Sequence, residues 1–260
     1  MASIKHIGIE INDGSVKYLE LSKSRNDFEL GLYGEVKLPE GMIEGGSIRQ
    51  GIDLERIISA IRKKGSFLDA TVSQSPDQVF LADILKEAGF KNIYLESSGV
   101  ALARVLMPPD SKETCMIVYF TGRNIDTYAG ERNNMKLLAT SPFKSELVSK
   151  TLDKEIIFSF IREKIDEQYV SWHTHTDPPL DSARGKTKSR AKVSKLIFAG
   201  ELPELADLAD YLGKHLKVKT ELGNAWINIF SFDKRIPEIN FKDSLRYAAA
   251  IGLAFRVFEK

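Results

Sequence analysis

HIGIEINDGSVKYLEL, residues His6–Leu21, has the outline of two strands about a tight turn. A β-branched run leads into Asn12-Asp13-Gly14-Ser15, and a second apolar run leaves it. Gly14 reaches positive φ at little cost, and Asn12 and Asp13 tolerate the left-handed region, so the segment predicts a β-hairpin. Such a turn gathers backbone N–H groups, the Ser15 hydroxyl and the Lys17 ammonium, a donor set that suits a phosphate. Any antiparallel hairpin shares this outline, so the surrounding chain has to decide.

Beyond this segment, residues 28–38 (FELGLYGEVKL) read as a third antiparallel strand and the glycine-rich residues 39–51 as a loop. Leu54, Ile57, Ile58 and Ile61 fall at helical spacing over residues 52–64, with acids at the start and bases at the end. A strand at 67–73, a helix at 78–88 opened by Ser75-Pro76-Asp77 and stopped by Gly89, a strand at 92–95 and a helix at 97–106 follow. Then the order repeats. Strands at 114–121, 124–130 and 135–141, the first two joined at Gly122-Arg123, precede a long helix at 144–169 whose buried face is expected to hold Leu147, Leu152, Ile156, Ile157, Phe160, Ile161 and Ile165. A strand at 194–199 ends at Gly200, a helix spans 202–215, short strands lie near 217–220 and 226–230, and a last helix covers 242–257, where Ala248-Ala249-Ala250 and Gly252 permit close packing.

Three strands followed by alternating helices and strands, twice over, predict an α/β fold of two similar lobes, each a mixed sheet flanked by helices. The lobes are expected at 1–110 with 242–260 and at 111–241. Ligands of open α/β sheets sit beyond the carboxyl ends of strands, which points to the 12–15 turn, the 121–124 turn and Gly200.

Bulk properties bound the function. The 260 residues are 43% hydrophobic with a formal charge of +1, so a sizeable core is available and no global field draws nucleic acid or an anionic membrane. The single cysteine, Cys115, sits in an apolar run, where burial is expected, and suits a reducing compartment. No signal-like or membrane-length apolar run is present, which predicts a cytoplasmic protein that reaches a membrane only through a partner. Residues 172–192 are polar and basic and read as a surface loop. His173 and His175 lack a third metal ligand there, no metal site is assigned, and Arg184–Arg190 read as a solvated run. Gly185-Lys186-Thr187 is not a P-loop, because Leu180 stands where the motif needs its earlier glycine.

With this pattern in view the chain resembles the actin-like ATPases, which have the ribonuclease H-like fold, and within them the PilM family of type IV pilus inner-membrane platforms. Residues 6–21 resemble the first phosphate loop. Residues 38–48 (LPEGMIEGGSI) resemble the loop before the first helix, residues 96–104 (ESSGVALAR) a strand-to-helix segment, and LGNAWINI with YAAAIGLAFR the closing strand and helix. The resemblance implies a cytoplasmic scaffold peripheral to the inner membrane, a PilN-like membrane-anchored partner, and ATP with Mg bound by Glu10, Asn12, Asp13, Gly14, Ser15, Lys17, Gly122, Asp126, Gly200 and Glu201.

The departures from the family pattern are specific. Glu10 and Asn12 replace the first Asp-x-Gly, Tyr119 and Thr121 the second, and Glu201 follows Gly200 in place of a paired glycine. Loss of the second-loop acid removes a group that places metal-bound water, so little or no hydrolysis and no catalytic residue are expected. The family's inserted subdomain is missing after residue 64. Homo-oligomerisation is left open. Alternative readings are an active ATPase or small-molecule kinase of the same fold, or a cell-division protein related to FtsA, which usually needs an amphipathic C-terminal helix that the sequence up to Lys260 lacks.

Overall fold

The computed structural model describes residues 4–25, 27–143, 153–174, 176–177, 188–230 and 237–259. They divide into two compact units, Met1–Pro109 with Asn224–Lys260, and Asp110–Gly223. Residues 224–230 and 237–241, which the sequence reading assigns to the second lobe, thus cluster with the first unit.

In the first unit β1 (Ile4–Ile11), β2 (Ser15–Ser24) and β3 (Asp27–Lys37) form the expected antiparallel ribbon. A small hairpin, β4 (Ile43–Glu44) and β5 (Ser47–Ile48), lies in the segment read as loop. Then come α1 (Gly51–Gly65), β6 (Asp69–Ser73), α2 (Gln78–Glu87), β7 (Asn92–Glu96) and α3 (Ser98–Leu106). The strand order is β3-β2-β1-β6-β7, with β6 parallel to both β1 and β7. Only Ser66, Phe67 and Leu68 separate α1 from β6, so no subdomain is inserted there.

The second unit repeats this arrangement strand for strand. β8 (Cys115–Phe120), β9 (Asn124–Glu131) and β10 (Asn134–Pro142) form the ribbon, and α4 (Lys154–Thr174) follows. After the short pair β11 (Thr176–Asp177) and β12 (Lys188–Ser189) come β13 (Lys195–Gly200), α5 (Leu205–Leu216) and β14 (Lys219–Leu222). The order is β10-β9-β8-β13-β14, with β13 parallel to β8 and β14.

Several expectations change. Residues 144–152 of the long predicted helix, with Leu147 and Leu152, lie outside the described residues. Helix α4 runs five residues further than expected, to Thr174, and buries Ile157, Phe158, Ile161, Ile165 and Trp172. Ile156 and Phe160 are instead 58% and 42% exposed. Residues 226–230 form a turn and not a strand, because the Ile229 and Phe230 N–H groups both donate to the Trp226 carbonyl at 3.0 Å. Asn228 then donates through Nδ2 to the carbonyls of Arg104 and Met107 at 2.8 and 2.7 Å, capping α3. The last helix is two helices, α6 (Phe241–Arg246) and α7 (Ala248–Phe255), broken at Tyr247.

Helix α7 is apolar on every side and all eight of its residues are buried, as a helix without a polar face must be. It lies on the face of the first sheet opposite α1 and α2, whose Leu54, Ile58, Ile61, Leu81, Ile84 and Leu85 pack with Ile7, Ile9, Val16 and Tyr18. Its approach is backbone to backbone. A Cβ at Gly8 would stand 2.1 Å from the Ala250 carbonyl oxygen, and one at Gly252 would stand 1.9 Å from that of Ala101. Arg104 of α3 completes the junction by donating to both oxygens of Glu96, to Glu259 Oε2 at 2.7 Å and to the Gly252 carbonyl at 3.0 Å. Burial by itself would lower the Arg104 pKa. The hydrogen bonds that Arg104 donates to Glu96 and Glu259, with the charges of those carboxylates, outweigh that and raise it.

His6, on the same face, shares a 2.8 Å hydrogen bond between Nε2 and Thr71 Oγ1. Burial pushes its pKa down from 6.5 to about 4; Asp69 opposes the shift and Arg256 adds to it.

Gly8→Ala should lower unfolding free energy by about 3 kcal/mol, because backbone atoms cannot yield as a flexible side chain would. An unchanged urea midpoint would contradict the packing. His6 binds a proton in the unfolded chain at pH values where the folded chain holds it neutral. Stability is therefore fully present above about pH 7 and is lost as pH falls from about 6.5 to 4, by about 3 kcal/mol. His6→Gln should flatten this dependence in urea titrations run across that range.

Candidate functional site

The residues expected at a ligand site fall at strand ends in each unit. In the first unit they share one hairpin. Asn12 folds its side chain back over the β1–β2 turn, where Oδ1 accepts from the N–H groups of Gly14 and Ser15, both at 2.9 Å. The Asn12 N–H donates to the Ser15 carbonyl at 3.0 Å, closing the same turn. This is the Asx arrangement that favours Asn at such positions.

Asp13 points the other way, toward β4 and β5. Its carboxylate accepts from Gly45 N–H at 2.9 Å and Gly46 N–H at 3.0 Å. Gly45 and Gly46 are consecutive left-handed residues, at φ +56° and +80°, which aims their N–H groups together as in an anion nest. Asp77, expected to start α2, places Oδ2 2.9 Å from the Ile48 N–H and makes no side-chain cap on its own helix. Ser75 Oγ donates to the Gly46 carbonyl at 2.7 Å. The short hairpin is thereby held between two carboxylates.

Glu10 and Lys17 pair across β1 and β2, and Lys17 pairs with Glu35 across β2 and β3. Lys17 Nζ lies 3.9 Å from Glu10 Oε2, and both side chains are buried. Glu35 meets Lys37 at 2.9 Å and Arg246 at the end of α6. Burial would raise the Glu35 pKa, but the Lys37 hydrogen bond and the charges of Lys17, Lys37 and Arg246 outweigh it and hold it below the ordinary value.

In the second unit the Thr121–Asn124 turn is closed by Thr121 N–H donating to the Asn124 carbonyl at 3.0 Å and Asn124 N–H donating to Thr121 Oγ1 at 3.2 Å. Gly122 has φ +90°, and a Cβ there would meet the Glu201 carboxylate at 3.4 Å. Gly200, at φ +109°, lies so close to the Phe120 backbone that a Cβ would stand 2.2 Å from its carbonyl oxygen. The Glu201 N–H donates to that same oxygen at 2.8 Å. Gly122, Gly200 and Glu201 therefore meet, while Asp126 sits along β9 and accepts from Thr140 Oγ1 at 2.8 Å. Tyr119 is buried in β8 beside Asp126 in register.

A phosphate needs outward N–H donors, and a bound nucleotide brings Mg held by oxygen ligands. At the first turn the Gly14 and Ser15 donors are directed at Asn12, and carboxylates of Glu10 and Asp13 flank it. At the second, Glu201 stands against Gly122. These loops do not present the donor set that the group requires. No cluster of three or more His, Cys, Asp or Glu side chains among the described residues is placed to hold a metal ion.

Outside these loops, His173 has both ring nitrogens engaged, Nδ1 with the Tyr169 carbonyl at 2.7 Å and Nε2 accepting from Val193 N–H at 3.2 Å. Arg190 covers the Trp172 ring at 4.6 Å. His175 and residues 184–187 lie outside the described residues. Among the described residues no helix is long and apolar enough to cross a membrane. Asp77, Glu35 and Arg246 escape sequence reasoning, because their partners lie 29 residues away for Asp77 and 211 residues apart for Glu35 with Arg246. The Gly45-Gly46 pair was the one local signal for the nest.

No family model matches the chain, and no curated protein matches it. Solved structures do. The PilM–PilN type IV pilus biogenesis complex matches at TM-score 0.65 and 17% identity, over 99% of each chain. The ethanolamine utilization protein EutJ from Carboxydothermus hydrogenoformans matches at 0.63 and 10%, over 98% of this chain and 90% of that one. MreB5 of Spiroplasma citri bound to ADP matches at 0.52 and 10%, over 98% and 96%. At such identities the likeness is one of backbone architecture, and with the doubled five-stranded sheets it shows that this chain has the actin-like fold.

Proposed function

We propose that this chain is an actin-fold scaffold of a type IV pilus or related secretion platform, docked on the cytoplasmic tail of a PilN-like, membrane-anchored partner and working without ATP turnover. The full-length likeness to the chain of the PilM–PilN complex carries the reading. It draws support from Tyr119, a buried phenol at the position where the resemblance expects the second-loop acid. Cross-linking and affinity capture of the chain from its own cell should recover inner-membrane platform proteins. Recovery of soluble enzymes alone would overturn it.

A second reading is an ATPase or small-molecule kinase of the same fold. MreB5 bound to ADP has this architecture, and Glu10 keeps an acid at the end of β1. On the scaffold reading, Mg-ATP releases no phosphate above a protein-free blank. Turnover that Glu10→Gln abolishes would establish the enzyme instead.

A further inference from the structure

At the first hairpin two pairs of backbone amides are each taken up by a side chain of one turn. We infer that Asn12 and Asp13 together fill the anion positions of the first unit, so that its loop is ordered without nucleotide and Mg-nucleotide is excluded from it. Two separate sets of backbone donors support this. Gly14 and Ser15 N–H converge on Asn12 Oδ1 at 2.9 Å each, and the Ser15 hydroxyl lies 3.5 Å from the same atom. Gly45 and Gly46 N–H converge on the Asp13 carboxylate at 2.9 and 3.0 Å, each taking its own oxygen. Converging amides of this kind hold phosphate or carboxylate oxygens wherever the chain presents them. Here adjacent residues of one turn supply the oxygens to both sets.

The geometry makes exchange for an external anion unfavourable. A phosphate at Gly14 and Ser15 would first have to displace the Asn12 side chain. A phosphate without its metal would then bring its charge beside the Asp13 carboxylate and beside Glu10, whose charge Lys17 offsets only in part at 3.9 Å. At the nest, the Gly46 backbone is fixed from behind by Ser75 Oγ and by Pro76, whose Cδ a Gly46 Cβ would meet at 2.9 Å. Asp77 on Ile48 N–H fixes the far strand of the same hairpin. The tethered carboxylate has no translational entropy to lose, whereas a free anion does.

Amide hydrogen exchange on the full chain tests the inference, with Mg-ADP and inorganic phosphate as probes. In the nucleotide-free wild type the amides of Gly14, Ser15, Gly45 and Gly46 should exchange slowly. Millimolar Mg-ADP or phosphate should change none of them and give no calorimetric heat. Asp13→Ala should speed exchange at Gly45 and Gly46 by about tenfold or more and leave Gly14 and Ser15 protected, and Asn12→Ala should do the reverse. Should Asp13→Ala fail to fold by circular dichroism, Asp13→Asn, which keeps one acceptor oxygen, should still speed the Gly45 and Gly46 pair. Saturable Mg-ADP binding in the wild type, or substitutions that leave both pairs unchanged, would overturn the inference. A chain that captures the pilus platform and also binds Mg-ADP keeps the proposed function and loses this one.

Discussion

The first unit depends on one constraint, that α7 must lie within backbone contact of β1 and α3. Gly8 and Gly252 are the residues that permit it, since a methyl group at either would stand inside the van der Waals radius of a carbonyl oxygen. The alanines at 248–250 keep the same surface thin. An apolar helix drawn this close excludes water from the neighbouring polar groups, so each of them needs a partner. Arg104 finds two carboxylates and a carbonyl, Asn228 caps α3, and His6 rests neutral on Thr71. The chain's last helix is thus joined to its first strand by sterics and by a polar network around that contact.

The same face carries the row Glu10, Lys17, Glu35 and Arg246. Alternating charge across three strands and onto α6 compensates groups that burial would otherwise penalise, and it pins register, because a slip of one residue would turn the row into the apolar face. A lysine and an acid flanking a turn in an actin-like fold invite a nucleotide reading. In this chain they have an architectural use that stands without one, which illustrates how one fold serves unlike sites.

The two units share strand order and direction but not loop chemistry. In the first, Asn12 and Asp13 close the turn onto itself and onto the Gly45–Gly46 nest; in the second, Glu201 faces Gly122. Symmetry of the backbone therefore says little about equivalence of the loops. The loops are short, and one side chain is enough to change what their amides bind.

Local chemistry made most of the fold legible. Period-two runs, helical spacing at Leu54, Ile58 and Ile61, and the Asn12–Ser15 turn signal are contained within a few residues each, and their repetition along the chain discloses two similar sheets. Periodicity misleads at three places: Tyr247 splits the last helix, the Trp226 carbonyl gathers two N–H groups into a turn, and Ile156 and Phe160 lie off the buried face of α4. The candidate site divided in the same way. The sequence singles out candidate residues and, through the family resemblance, a tyrosine where a second-loop acid is expected. What those residues hold was decided only by tertiary structure, because Asp13 meets its partners 32 and 33 residues away and Lys17 lies between two other strands. Turn propensity is a property of neighbours along the chain, whereas the destination of a carboxylate is set by whichever amides folding brings within 3 Å of it.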